Sequence, residues 1–201
     1  MATPTGYQRV TTATDYDVSA YQIHLRFDGV DDFLVTNSID FTATDKVMVA
    51  AGVRKLSDAA TACLAELSAI YSSNNGAFLF AAPAVNGLPR YDWYSRGTLT
   101  ADTHTASSHA APVTSILSAQ GNISGDSAIL RVNGTQAASS TTDQGTGNYG
   151  NYPLYIGRRA GTSVPFNGHL YSLIIRGAAS TDSQIASVER YINGKTKAYT
   201  T

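Results

Sequence analysis

The sequence predicts an all-β fold: two antiparallel sheets packed face to face in one domain, with a single short helix near the C-terminus. Three observations carry this expectation. Short runs in which apolar and polar residues alternate, the period-two mark of a half-buried strand, recur along most of the chain. Gly, Asn, Asp and Ser turn residues separate them, and 17 of the 201 residues are Gly, a pattern that suits a sandwich or barrel better than alternating strands and helices. Helical spacing with matching end signals occurs once. With 43% apolar residues the chain can bury a full two-sheet core, and sandwiches of this length commonly stay undivided.

Residues 1–20, rich in Thr, Ala and Asp, sustain no period and read as a lead-in arm on a single domain formed by residues 21–201. A first strand covers residues 22–27, where Ile23, Leu25 and Phe27 alternate with Gln22, His24 and Arg26 until Asp28-Gly29 breaks the run. Val47, Val49, Ala51 and Val53 alternate with Lys46, Met48, Ala50 and Gly52, and two nearly apolar faces place this strand inside a sheet. Further strands are expected over residues 63–68, 77–81, 91–95, 113–119, 128–132, 135–139, 153–156 and 169–176. Val132-Asn133-Gly134-Thr135 is the clearest hairpin, because Asn-Gly accepts the positive φ of both central positions in a type I′ turn. Residues 139–152 are poor in aliphatic side chains and form a long ordered loop, the kind of segment that often carries function on a rigid sandwich. Thr181-Asp182-Ser183-Gln184 has the form of a capping box, Ile185, Val188 and Ile192 follow at helical spacing, and Gly194 stands where a C′ glycine would end the helix.

Composition excludes several classes of function. Lys plus Arg number 14 and Asp plus Glu 15, with no long block of either sign, so the basic stripe that nucleic acid demands is missing and no nucleic-acid partner is expected. Cys63, the sole cysteine, rules out an internal disulfide and a thiolate metal cluster, and its apolar neighbours make it a small core residue. No run reaches the roughly 18 apolar residues of a membrane-spanning helix. Met1-Ala2-Thr3-Pro4-Thr5 has neither a basic nor an apolar leader region, so a soluble chain without a membrane partner is expected.

Leu25-Arg26-Phe27-Asp28-Gly29-Val30-Asp31-Asp32-Phe33-Leu34 at one end, and Leu154-Tyr155-Ile156-Gly157-Arg158-Arg159 with residues 166–175 at the other, resemble the opening and closing strands of the laminin-G-like, concanavalin A-type jelly-roll family. The Asn-Gly hairpin and the terminal helix match that family too, and the resemblance extends over residues 21–195. It implies the two-sheet jelly roll expected above. The texture of residues 7–17, 27–32, 44–47 and 144–157 resembles, more narrowly, the laminin-G-like modules of tailed-bacteriophage structural proteins. That likeness implies a module on the virion surface, in a tail fibre, spike or head fibre, that contacts bacterial surface polysaccharide and other virion proteins, in a homo-oligomer such as the trimer common among fibres. A purely structural or decoration role is the alternative it leaves open.

The resemblance also raises glycan cleavage, which demands two carboxyl groups about 5 Å apart in a retaining enzyme. The chain has two glutamates, Glu66 and Glu189; Glu66 has no acidic residue two positions away on either side and Glu189 falls on the helix, so no enzyme is expected. His24, His104, His109 and His169 are scattered, and no nucleophile or phosphate-binding motif appears. Asp28, Asp31 and Asp32 could supply part of a calcium site. The same carboxylates suit a turn in which they accept from nearby backbone N–H groups, and that reading is preferred, as it is for the looser set Asp143, Asn148 and Asn151, so neither metal nor cofactor is expected.

For sugar binding the aromatic and amide supply matters. Alternation puts Tyr91 and Trp93 on one face and Asp92 and Tyr94 on the other, with Trp93 expected in the core. Tyr149, between Asn and Gly residues, is expected to be exposed. Tyr94, Asn148, Tyr149, Asn151 and Arg158 are therefore the candidate ligand-binding residues; for Arg158, beside Arg159, a solvated strand end is the competing account.

Overall fold

The computed structural model describes residues 23–200, so the arm expected over residues 1–20 lies outside the described residues. Twelve strands and one helix follow in order: β1 (Leu25–Asp28), β2 (Leu34–Asp40), β3 (Lys46–Lys55), β4 (Cys63–Leu67), β5 (Ala77–Ala81), β6 (Asp92–Arg96), β7 (Thr100–His104), β8 (Val113–Asn122), β9 (Ser127–Val132), β10 (Thr135–Ser140), β11 (Asn151–Ile156), β12 (Asn167–Arg176) and α1 (Asp182–Thr196). They form two six-stranded antiparallel sheets, ordered β1-β12-β3-β8-β9-β10 and β2-β11-β4-β5-β6-β7.

The inward faces meet in one core built from Val47, Val49, Ala51 and Val53 of β3, Leu64 and Leu67 of β4, Phe78 and Phe80 of β5, Trp93 of β6 and Leu117 of β8. Trp93 is fully buried, as expected, and its indole N–H donates to the Gln120 carbonyl at 3.1 Å. β3 lies between β12 and β8, as its two apolar faces predict. Its second face, Met48 and Ala50, packs with Ile116 under Ile192 and Val188 of α1. The helix thus covers the outside of the first sheet.

The capping box is present in full: the Thr181 hydroxyl accepts from the Gln184 N–H and the Gln184 side chain accepts from the Thr181 N–H. The expected stop at Gly194 is not where the helix ends. It continues to Thr196, and Lys197 takes the left-handed turn at φ 52°, its N–H donating to the Asn193 carbonyl. Asn193 locks the reversal, its side chain donating to and accepting from the Tyr199 backbone. Asn133 and Gly134 take φ of 51° and 82°, and the Asn133 side chain also accepts from the Ile116 N–H at 2.8 Å.

Two strands lie outside those expected from alternation, β2 and β7. β2 is an edge strand exposed along almost its whole length, and an extra β2 residue between Val35 and Ser38, opposite Pro153 and Tyr155 of β11, interrupts its pairing. β7 puts only Ala101 and Thr103 inward, too small and polar to mark a strand.

The expected loop over residues 139–152 is ordered, but it is set into the end of the sandwich. Gln144 is fully buried, accepting from the Ser95 hydroxyl at 2.5 Å and donating to the Asn122 carbonyl. Tyr149 is 1% exposed, its hydroxyl 2.6 Å from Ser95 Oγ and its ring beside Phe78. The expected exposure of Tyr149 is thereby corrected. Gly121 makes the slot, since a Cβ there would collide with the Tyr149 hydroxyl.

Candidate functional site

With α1 over one sheet, the outer face of the other is left without a helix among the described residues. Register aligns Val35, Tyr155, Glu66, Leu79, Tyr94 and Asp102 in one row across that face, from β2 to β7. A second row runs through Cys63, Ala81, Asp92 and His104. The floor is a small apolar cluster of Cys63, Leu79 and Ala81, over which Tyr71 and Tyr94 lie with ring centroids 4.9 Å apart.

Glu66 anchors the centre. It is fully buried, and it accepts from the Tyr71 N–H at 2.7 Å and from Arg159 Nε at 2.8 Å. Burial pushes its carboxyl above the ordinary range, while the Tyr71 N–H and Arg159 pull it back. The same Arg159 guanidinium lies over the Tyr71 ring, 5.5 Å from its centroid. Burial and the Glu66 charge hold the Cys63 thiol well above its usual value, which makes it an inert wall. Its expected place as a core residue holds.

The β6–β7 side of the face is charged and largely self-compensated. Asp92 is fully buried, pairs with Arg90 Nη2 at 2.8 Å and accepts from the Ala84 N–H at 3.0 Å. Arg96 donates to Thr100 Oγ1 at 2.9 Å and to Asn75 Oδ1 at 3.3 Å. Asp102 stands directly across from Tyr94 with 44% of its side chain exposed, and His104 Nδ1 is 3.9 Å away, beyond a hydrogen bond. Partial burial pushes the Asp102 carboxyl upward.

The tyrosines divide by the use of their hydroxyls. Tyr91 bonds Ser115, Tyr149 bonds Ser95 and Tyr152 bonds the Asn75 carbonyl. Tyr71, Tyr94 and Tyr155, all part-buried on the outer face, have no such partner for their hydroxyls among the described residues. Each offers an apolar ring with a polar tip free to bond a ligand.

Of the residues expected to bind ligand, Tyr94 and Asn151 lie on this face, Tyr94 beside Tyr71 and Asn151 towards the β2 edge. Asn148 is exposed, and its amide donates to the Thr42 carbonyl at 2.7 Å. Asn151 is exposed and pairs with Asp40, and it shares β11 with Tyr155, with β4 and β5 between that strand and the strand of Tyr94. Tyr149 is core. Arg158 braces two turns, donating to the Asp31 carbonyl at 3.4 Å and the Thr162 carbonyl at 3.0 Å, and its neighbour Arg159 is the one that reaches the face. Asp28, Asp31 and Asp32 form the expected turn: Asp28 Oδ1 accepts from the Val30 N–H, and Asp32 Oδ2 from the Asp28 N–H. Tyr71, Arg159, Tyr155 and Asp102 were missed. Only Tyr155 and Arg159 had a visible signal, the former in its strand alternation and the latter in the Arg-Arg pair.

Two six-stranded antiparallel sheets, one roofed by a helix and the other presenting half-buried tyrosines, define a jelly roll of the lectin type. The chain belongs to the concanavalin A-like lectin/glucanases superfamily, whose laminin G model matches residues 28–186. Among solved structures it resembles the CBM40 module of Ruminococcus gnavus IT-sialidase bound to α2,3 sialyllactose, with TM-score 0.57 and 14% identity over 78% of this chain and 98% of that one. It also resembles the native heptameric SAP-like pentraxin of Limulus polyphemus, with TM-score 0.64 and 12% identity over 87% and 83%. Domains LG4-5 of the mouse laminin α1 chain give TM-score 0.58 and 14% identity over 78% of this chain and 41% of that one. At these identities the likeness is one of fold. No curated protein sequence matches the chain.

Proposed function

We propose that the protein is a non-enzymatic glycan-binding module that serves attachment to bacterial surface polysaccharide, and that the outer face around Tyr71, Tyr94 and Tyr155 is where the sugar lies. The observation that carries this reading is the set of part-buried tyrosines whose hydroxyls have no partner among the described residues, on the sheet face that α1 does not cover. Sugars stack their C–H faces on such rings and exchange hydrogen bonds with the polar tip. Membership of a lectin-type superfamily and the fold shared with a sialyllactose-bound module support it.

The absence of catalysis is supported by the fate of the two glutamates. Glu66 is tied to Arg159 on the outer face of one sheet, while Glu189 sits in α1 over the other sheet, bonded to Ser118 and Arg131. The sandwich separates them, so they cannot form a carboxylate pair. Placement on a virion surface, in a fibre or spike and in a trimer, is part of the proposal and rests on the sequence likeness to phage modules.

A second reading, a structural or decoration role through protein contacts, is favoured by one feature. Ile23 before β1, Val30 and Phe33 between β1 and β2, and Leu34 and Val35 of β2 are between 42% and 68% exposed, and Ile23 and Leu34 line one shallow apolar hollow with Ile156 and Leu170. Apolar clusters of this kind mark interaction surfaces. Binding of the purified protein to a bacterial glycan array, with calcium and again with EDTA, tests the choice. Binding that resists EDTA and disappears in Tyr94→Ala supports the glycan reading, and silence across a broad array favours the structural one.

A further inference from the structure

Resting on that reading, we infer that the outer face is built for uncharged sugar residues and discriminates against acidic ones, unlike a site that captures a sialyl carboxylate. An acidic sugar is normally read by an arginine whose planar fork is free to pair with its carboxylate. Among the described residues three arginines border the face, and two of them are held by buried carboxylates. Arg159 is bonded to Glu66 and Arg90 to Asp92, while Arg96 donates one bond from each terminal nitrogen, to Thr100 and to Asn75, and keeps its Nε buried away from solvent. Releasing Arg159 or Arg90 would strand a fully buried carboxylate, Glu66 or Asp92, which costs more than an exposed ion pair returns.

The charge nearest the central ring has the opposite sign. Asp102 is the cross-strand partner of Tyr94 and the most exposed carboxylate on the face, so an anionic sugar stacked on Tyr94 meets it at close range. At the edge of a protein a like-charge contact of this kind weakens binding by about tenfold. A neutral sugar gains from the same residue, because a carboxylate accepts hydrogen bonds from hydroxyls. Tyr94 then supplies the stacking surface, Tyr71 walls it, and Asp102 selects by charge.

The test is titration of the protein against bacterial polysaccharides with neutral repeats and with repeats bearing uronic or sialic acid, at low and high salt. Neutral repeats are expected to bind with little dependence on salt, Tyr94→Ala to weaken them at least about tenfold, and Tyr94→Phe, which keeps the ring and the fold, by only a few-fold. Acidic repeats are expected to bind about tenfold more weakly, with Asp102→Asn narrowing the gap. Acidic repeats binding as well as or better than neutral ones, or binding that collapses with salt, would overturn the inference and leave glycan binding standing. Failure of both kinds of polysaccharide to bind would overturn the two together.

Discussion

Removing Arg159 isolates a carboxylate at the centre of the exposed sheet, and the consequence should depend on pH. The Glu66 side chain is 0% exposed and that of Arg159 21%. Taking one partner from a fully buried pair costs about 3 to 5 kcal/mol. Because Arg159 is partly solvated, water reaches the vacated space and the loss falls to about 2 to 3 kcal/mol. Loss of the contact with the Tyr71 ring adds about 0.5 kcal/mol. Arg159→Ala should therefore destabilise by about 3 kcal/mol at pH 8, a fall of about 1.5 M in the urea midpoint for a slope near 2 kcal/mol/M. Glu66 already sits above its unfolded value through burial, and without Arg159 it rises further. Below about pH 4.3 the carboxyl is protonated in both states, so only the lost packing counts there. The cost then grows with pH as the unfolded chain ionises freely and the folded one cannot. Urea unfolding at pH 4 and pH 8 measures it, and adding Glu66→Gln should recover more than half of the loss at pH 8. A cost that is the same at both pH values, or a double variant no better than the single one, would refute the account of Glu66 as a charge held by Arg159.

Three further outcomes are expected. Tyr149→Phe deprives Ser95 of a buried hydroxyl partner and should cost about 1 to 2 kcal/mol, seen as a melting temperature lower by about 3 to 5 °C. Burial and the charges of Arg54 and Arg26, with the stacked His24 ring at 4.1 Å, hold His169 down at about 4, below its unfolded value. Its contribution to stability is thus complete above about pH 6.5 and lost as pH falls from there towards 4, and an NMR titration should place its midpoint near 4. Lys197 sits at φ 52°, so Lys197→Gly should relieve the left-handed strain at the helix end and stabilise by about 0.5 to 1 kcal/mol in denaturant unfolding.

The strands legible in the sequence were those whose alternation is paid in large side chains. Trp93 against Tyr94 and the valines of β3 gave their facing directly, and Thr181 with Gln184 gave the start of the helix. β2 escaped because an edge strand exposed on both faces has no reason to alternate. Tyr149 was misplaced for a different reason. Its sequence neighbours are the Gly and Asn residues of a surface loop, and the slot that takes it is made by Gly121, a residue of another strand. Arg158 and Arg159 differ by one position along the chain, yet one braces turns and the other crosses to Glu66, a choice set by where the β11 strand ends. Tyr71 reaches Tyr94 from a loop and had no local mark at all. Residues that line a strand could be assigned a face, whereas those delivered by loops needed the third dimension.

The order of strands in the first sheet also dictates when the molecule can form. β1 has β12 as its neighbour, with Leu25 opposite Leu170, and β3 lies between β12 and β8. The opening third of the chain therefore has no complete sheet to join while it is being synthesised. Loop closure over such separations is slow relative to local pairing. β3 can pair with β8 as soon as β8 is present, whereas β1 has no partner and the other edge of β3 stays open until β12 arrives, so the sheet is completed from its middle by the strand that lies between β1 and β3.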